Sequence, residues 1–304
     1  MSTIAFLGLG HMGGPMAANL VKAGQRVVGF DPVPAAATEA SAAGIQIAAD
    51  AVSAVADAEI VITMLQTGAQ VIAAYAGAGG APGLLAAARP GTLFLDCSTI
   101  AVDEARQAHD LAIAAGHRAA DAPVSGGVVG AENGTLAFMV GASDGDFESA
   151  RPLLEIMGRR VVHCGEPGLG QAAKVCNNMI LGITEIAVAE AFVLGERLGL
   201  SHQALYDVAS NASGQCWALT TNCPVPGPVP TSPANHDYRP GFAGALMAKD
   251  LGLAEQAIAL TGVDAQLGLH AREIYRQFAE GDGAGQDFSG IINTIRQQST
   301  DAQS

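Results

Sequence analysis

Short apolar runs alternate with alanine-rich stretches over the first 165 residues of the chain. Ile4–Leu7, Val27–Phe30, Ile60–Leu65 and Leu93–Leu95 are rich in β-branched or aromatic residues and bounded by Gly, Pro or polar positions. Continuous runs of that kind mark strands buried on both faces of a parallel sheet. Arg118–Asp121, Leu136–Val140 and Val161–His163 extend the series. Between them lie helical patterns such as Pro15–Ala23, with Gly24 placed to close it at the C′ position. Strands alternating with helices predict βαβ units and a Rossmann-type α/β domain, doubly wound on a mostly parallel sheet.

After Gly165 the pattern changes. Residues 168–198 read as one long helix with few breakers, and helical patterns return at 202–212, 243–261 and 264–280. No further strand is expected. The reading is therefore an α/β domain over 1–165 and an all-α domain over 166–304 that opens on a long interdomain helix. Pro224–Pro240 is a proline-rich loop, Ala76–Gly83 a flexible connection, and the polar tail Gln297–Ser304 is expected to fray.

Composition narrows the class. The chain has 304 residues, 49% of them apolar and only 5% aromatic, so its cores must be filled by close packing of small side chains. With a formal charge of −14 and 15 Lys plus Arg, it offers no basic stripe for phosphates, and a nucleic-acid partner is not expected. Cys97, Cys164, Cys176, Cys216 and Cys223 are scattered and match no metal spacing, so the expectation is reduced thiols in a cytoplasmic protein, with no metal. Met1-Ser2-Thr3 lacks the basic start of a secretory leader. The most apolar helical stretch, Met179–Leu194, is interrupted by Glu185 and Glu190 and reads as a core helix, not a membrane span.

The first chemical motif is Gly8-Leu9-Gly10-His11-Met12-Gly13, set between the strand at Ile4 and the helix at Pro15. In a dinucleotide-binding turn, Gly8 allows the tight bend, Gly10 lets the backbone approach the pyrophosphate, and Gly13 lets helix and strand pack closely. The helix N-terminus then presents N–H groups and a positive dipole end to the anion. Asp31 ends the next strand, where a carboxylate accepts bonds from the adenine ribose hydroxyls. A 2′-phosphate would meet its charge, and no Arg or Lys follows in 32–40, which favours NAD over NADP. The plainer alternative is that Asp31 only starts a turn before Pro32. His11 lies inside the loop, solvated or packed there, with no metal role.

The second constellation is Gly168-Leu169-Gly170-Gln171-Ala172-Ala173-Lys174-Val175-Cys176-Asn177-Asn178. Lys174 is the one charge between Leu169 and Thr184, with Asn178 one turn on along the same face. Apolar surroundings disfavour a charged amine, and a lowered pKa suits a group that takes and returns a proton near neutrality. A lysine that snorkels to water is the ordinary alternative. In Asp121-Ala122-Pro123-Val124-Ser125-Gly126-Gly127, the hydroxyl and glycine N–H groups are of the kind that form a nest for a small carboxylate. An ordinary Ser-Gly turn has the same sequence. Pro123 stands where a nucleophile elbow needs glycine, which excludes a serine hydrolase of that type. Lys249-Asp250 reads, by itself, as a surface charge pair.

In this order, FLGLGHMGGPMAANLVKAG, DCSTI, DAPVSGG, GTLAFMVGA, GQAAKVCNNMILG and LMAKDLGLA resemble the β-hydroxyacid dehydrogenase family, and within it the 3-hydroxyisobutyrate dehydrogenases, over almost the whole chain. The resemblance implies NAD-dependent oxidation of 3-hydroxyisobutyrate to methylmalonate semialdehyde, a step of valine degradation, by a homodimer or homotetramer. It implies Lys174 as the catalytic lysine. Ser125, Gly126 and Gly127 would hold the substrate carboxylate, with Asn178, Trp217 and Asp250 on the substrate as well. Met64, Leu65 and Thr99 would line the nicotinamide side, and Lys249 would reach the cofactor. Two departures touch the substrate side: Gln66 replaces the usual proline after Met-Leu, and Cys216 and Asn222 flank Trp217 where relatives differ. Serine, 3-hydroxypropionate and tartronate semialdehyde are alternative substrates of the same chemistry. An NAD-binding protein without turnover is the alternative from another class.

Overall fold

The structure, a computed structural model, describes residues 3–80 and 82–301. Its strands are β1 (Thr3–Leu7), β2 (Arg26–Phe30), β3 (Gln46–Ile47), β4 (Ile60–Thr63), β5 (Leu93–Asp96), β6 (Arg118–Asp121), β7 (Val124–Ser125), β8 (Leu136–Gly141) and β9 (Gly158–Gly165). They form one sheet in the order β3-β2-β1-β4-β5-β6-β8-β7, with β9 also on β8. The strands from β3 to β6 are parallel, and β6 and β7 run antiparallel to β8. A crossover at β1 between outward and return runs is the doubly wound arrangement, and it leaves a crevice at the carboxyl ends of β1 and β4.

The strand period explains the two cores. Ile4 and Phe6 of β1 point to one face, against Met16, Ala17 and Leu20 of the helix Gly13–Lys22. Ala5 and Leu7 point to the other face, which also holds Val61, Phe94, and Ala105, Ala108 and Ala112 of the helix Val102–Ala114. Alanines at that spacing let the helix lie close to the sheet, as the low aromatic content requires. Each fully buried Phe or Leu contributes roughly 2–3 kcal/mol.

The chain divides into two compact units, Met1–Lys174 and Val175–Ser304, and the long helix Leu169–Arg197 runs through the division. In the second unit, Ile186, Ala189, Phe192 and Val193 pack with Met247, Leu251, Tyr275, Phe278, Phe288 and Ile292. The helix is long and apolar enough to cross a membrane by length and composition alone. A Cβ on Gly182 would reach Leu251 at 3.1 Å, so the helix Gly244–Thr261 lies against a notch in the long helix.

Several boundaries differ from the sequence reading. The fourth strand stops at Thr63, because Leu65 turns its N–H to the Ser98 hydroxyl rather than to a strand. The helix expected over 202–212 stops at Ala209, short of the Ser210–Gly214 turn. Residues 297–301 continue the helix Ile291–Asp301 instead of fraying, and the rest of the expected tail lies outside the described residues. The proline-rich loop is anchored: Val225 and Val229 are in the core and Asn235 holds Val229 by its carbonyl.

Glu185 sits in that second core with no exposed surface, and neither of its oxygens has a hydrogen bond of good geometry among the described residues. Burial pushes its carboxyl well above the usual range; the Asp287 carboxylate adds to the rise, and the Asn222 amide opposes it. Cys223 and Tyr275 also face it, and both would add negative charge if ionised. A carboxyl whose folded pKa is raised holds more protons folded than unfolded, so stability falls as pH climbs above the unfolded value. Urea unfolding of Glu185→Gln across pH 5–8 should therefore show a flatter stability profile than the parent. Parallel profiles overturn this reading.

Candidate active site

The crevice end of β1 is shaped by its glycines. Gly8 takes φ of +90°, and a Cβ there would lie 2.3 Å from the Met64 carbonyl oxygen. A Cβ on Gly13 would lie 1.9 Å from the Gly8 carbonyl oxygen, so these two positions exist for packing. Gly10 is different: nothing lies within 4 Å of where its Cβ would be. That open approach is what a pyrophosphate needs. The helix Gly13–Lys22 begins with no acid in its first turn and no side-chain cap from Met12, which leaves its dipole end for an anion. The residues present therefore fit a dinucleotide. Leu9 is buried, and Gly10 and His11 are exposed at the loop's tip.

Asp31 does more than begin a turn. Its Oδ1 accepts from Val33 N–H at 2.8 Å, the turn expected before Pro32, and its Oδ2 accepts from Leu9 N–H at 2.7 Å. The carboxylate is thus fixed against the glycine loop, half-buried, with lone pairs remaining.

The neighbouring strand ends form a hydrogen-bonded frame. Asp96 Oδ1 accepts from Thr63 Oγ1 at 2.7 Å and from Ser98 Oγ at 2.6 Å. Ser98 Oγ in turn accepts from Leu65 N–H at 2.8 Å. Met64, Leu65 and Thr99 therefore sit on one braced pair of loops. Gln171, on the first turn of the long helix, donates from Nε2 to the Ser98 carbonyl at 2.7 Å and accepts Ile100 N–H at 3.2 Å. Asp121 accepts Gly168 N–H at 2.6 Å and Gln171 N–H at 2.8 Å. Burial pushes the Asp121 carboxyl up to about 6 against those two donors, and the Asp96 carboxylate contributes to the rise. Lys174 follows on the same helix and is 6% exposed, so it does not snorkel to water.

Ser125 ends β7, paired with Ala137, and Gly126 and Gly127 (φ +135° and +61°) turn the chain into the helix Gly127–Asn133. In the second unit, Asn178 donates from Nδ2 to Asp250 Oδ2 at 2.5 Å, and its Oδ1 accepts from Asn177. Asn178 and Asp250 are both buried, which corrects the expectation that Lys249-Asp250 is a surface charge pair: adjacent helix positions face different ways, and only Lys249 is partly exposed. Trp217 opens a short helix and is 51% exposed. Asn222 donates to Asp287 Oδ1 at 3.1 Å, and so serves the second core. Among the described residues, no cluster of three or more His, Cys, Asp or Glu is placed to hold a metal. The sequence reading gave no role to Asp96, Ser98 or Gln171, nor to the Asp121 side chain. The available signal was Gln171, a polar residue one turn before a lone lysine on an apolar helix.

A dinucleotide cradle and a buried lysine on the helix that leaves the same sheet define an NAD-dependent oxidoreductase. Residues 3–165 match the model for the NAD-binding domain of 6-phosphogluconate dehydrogenase, and 168–295 that described as NAD-binding of NADP-dependent 3-hydroxyisobutyrate dehydrogenase. The chain belongs to the β-hydroxyacid dehydrogenase family. It is 58% identical over 296 residues to a probable 3-hydroxyisobutyrate dehydrogenase of Mycobacterium tuberculosis, covering 97% of this chain and 98% of that one. It is 46% identical over 291 residues to an NAD-dependent L-serine dehydrogenase of Pseudomonas aeruginosa, covering 96% and 97%. A solved structure of M. tuberculosis 3-hydroxyisobutyrate dehydrogenase with L-serine superposes with a TM-score of 0.94 at 58% identity, over 97% of this chain and 99% of that one.

The two kinds of glycine separate experimentally. Gly10→Val should weaken NAD binding about tenfold or more, roughly 1.4 kcal/mol, with little change in melting temperature. Gly13→Ala should lower both. Fluorescence titration and thermal melts check this, and unchanged NAD affinity in Gly10→Val contradicts the assignment.

Proposed function

We propose that the protein oxidises 3-hydroxyisobutyrate to methylmalonate semialdehyde in valine degradation, with Lys174 as the proton-transfer residue. The observation that carries the reading is the burial of Lys174 on a helix start tied to the Ser98–Ile100 segment. NAD, when bound, supplies the acceptor for the hydride that leaves the carbinol carbon. The Lys174 amine takes the hydroxyl proton, and in the reverse direction its ammonium polarises the carbonyl. Ser125, Gly126 and Gly127 hold the substrate carboxylate, so that much of the rate comes from positioning. Asn178, oriented by Asp250, binds the substrate, with Trp217 covering it. Gly8 to Gly13, Asp31, Met64, Leu65, Thr99 and Lys249 serve the cofactor, and the Asp31 charge favours NAD over NADP.

Residues 1–165 act as the NAD-binding domain and 166–304 as the substrate and oligomerisation domain, in a cytoplasmic enzyme. The free thiols, among them the exposed Cys176, fit a reducing compartment. A second reading, L-serine as substrate, is favoured by the L-serine dehydrogenase relative and by the ligand named with the M. tuberculosis structure. Self-association as a homodimer or homotetramer is supported by exposed apolar side chains on the long helix and just past its end: Ile180 and Leu194 are each 61% exposed, and Leu198, in the turn that follows, is 77% exposed.

Lys174→Ala should bind NAD normally and lose on the order of 10²–10⁴-fold in kcat; retention of more than half the activity overturns the role. The same assay, run on 3-hydroxyisobutyrate, L-serine, 3-hydroxypropionate and tartronate semialdehyde with NAD and NADP, decides the substrate by kcat/KM. A kcat/KM with NADP equal to that with NAD sinks the cofactor preference. Light scattering after size exclusion should give a dimer or tetramer, and a monomer at micromolar concentration rules it out.

A further inference from the structure

Gln171 has no exposed surface, and both ends of its side-chain amide are in use: Nε2 on the Ser98 carbonyl at 2.7 Å and Oε1 on Ile100 N–H at 3.2 Å. The amide therefore pairs with the 98–100 backbone as a short piece of strand would. Its own N–H is taken by Asp121 Oδ2 at 2.8 Å, while Asp121 Oδ1 takes Gly168 N–H. The approach is as close as the backbone allows. A Cβ on Gly170 would meet the Met139 carbonyl oxygen at 2.3 Å and Asp121 Oδ2 at 2.7 Å. A Cβ on Gly141 would meet Asp121 Oδ1 at 2.4 Å. The first turn of the long helix is thus clamped on two sides, by β6 through Asp121 and by the segment after β5 through Gln171.

The segment it grips is not an arbitrary one. Ser98 also holds Leu65 through its hydroxyl, so a single serine ties Leu65 by its Oγ and the long helix by its carbonyl. Ser98 is itself buried and fixed by Asp96, and all of these residues lie within the first compact unit.

We propose that Gln171 is a positioning residue for catalysis: by bonding Ser98 and Ile100, it sets the reach of the Lys174 amine relative to the loop of Met64 and Leu65. The proposal rests on Lys174 being the proton-transfer residue. Lys174 lies three positions after Gln171, one turn along, so a shift of the first turn moves both together. Positional errors of about 1 Å in a reacting group cost on the order of 10²-fold in rate.

The test is Gln171→Met, which keeps length and removes both bonds, with Gln171→Asn as a milder variant should the first fail to fold. Each is measured per NAD-binding site, so that lost folded protein is not counted as lost rate. The expected result is a kcat lowered about 10–100-fold, with NAD affinity and substrate KM changed less than threefold. The primary deuterium isotope effect on kcat should rise as the chemical step becomes limiting. A purely structural role would lower the number of binding sites and leave the isotope effect where it was. A kcat within twofold of the parent, or an unchanged isotope effect, overturns the proposal. The double variant with Lys174→Ala separates it from the lysine reading. If Gln171 acts through Lys174, the double variant is no slower than Lys174→Ala alone. Additive losses reject the Gln171 proposal and leave the lysine in place. An active Lys174→Ala rejects the lysine reading itself, and the Gln171 proposal with it.

Discussion

A long helix with a free first turn would carry several unpaired N–H groups into the interior, each at a cost of about 1–3 kcal/mol. The Asp121 carboxylate takes two of the N–H groups, those of Gly168 and Gln171, at the point where the sheet ends and the helix begins. It works because the backbones there are nearly in contact, with glycine on both sides, at Gly141 and Gly170. The direction in which the long helix leaves the sheet follows from that contact. Whatever the helix carries in its first turns, Lys174 included, takes its place from the same origin.

The glycine loop obeys a related logic with a different end. Gly8 and Gly13 are spent on letting β1, the loop and the first helix approach one another, whereas Gly10 leaves space. The same residue type is thus used for contact and for absence of contact within six residues. Asp31 joins the two functions, since one of its oxygens holds Leu9 and thereby the shape of the loop itself.

Most of the fold was legible in the sequence. Apolar runs with two buried faces read as strands because β1, β4 and β5 really do face a helical layer on each side. The glycine turn and Asp31 were legible because their chemistry is local. What escaped was long-range. The two-residue strands β3 and β7 have too little pattern to register. Ser98 and Gln171 are 73 residues apart, and neither shows in its own neighbourhood that it has a partner. Asp250 misled for the same reason: next to Lys249 it looks like half of a surface pair, and only the distant Asn178 explains its burial. Glu185 looked like a polar interruption and is instead an acid enclosed among other acids.

The bond between the helix start and the segment after β5 is made by a carboxamide. A carboxylate or an imidazole in that place would change its charge somewhere in the range over which cells and assays vary, and the grip would change with it. A carboxamide has no proton to gain or lose there. Of the two grips on the first turn, the one at Gln171 therefore keeps its form across that range, while the one at Asp121, a carboxyl pushed up to about 6, changes its charge within it.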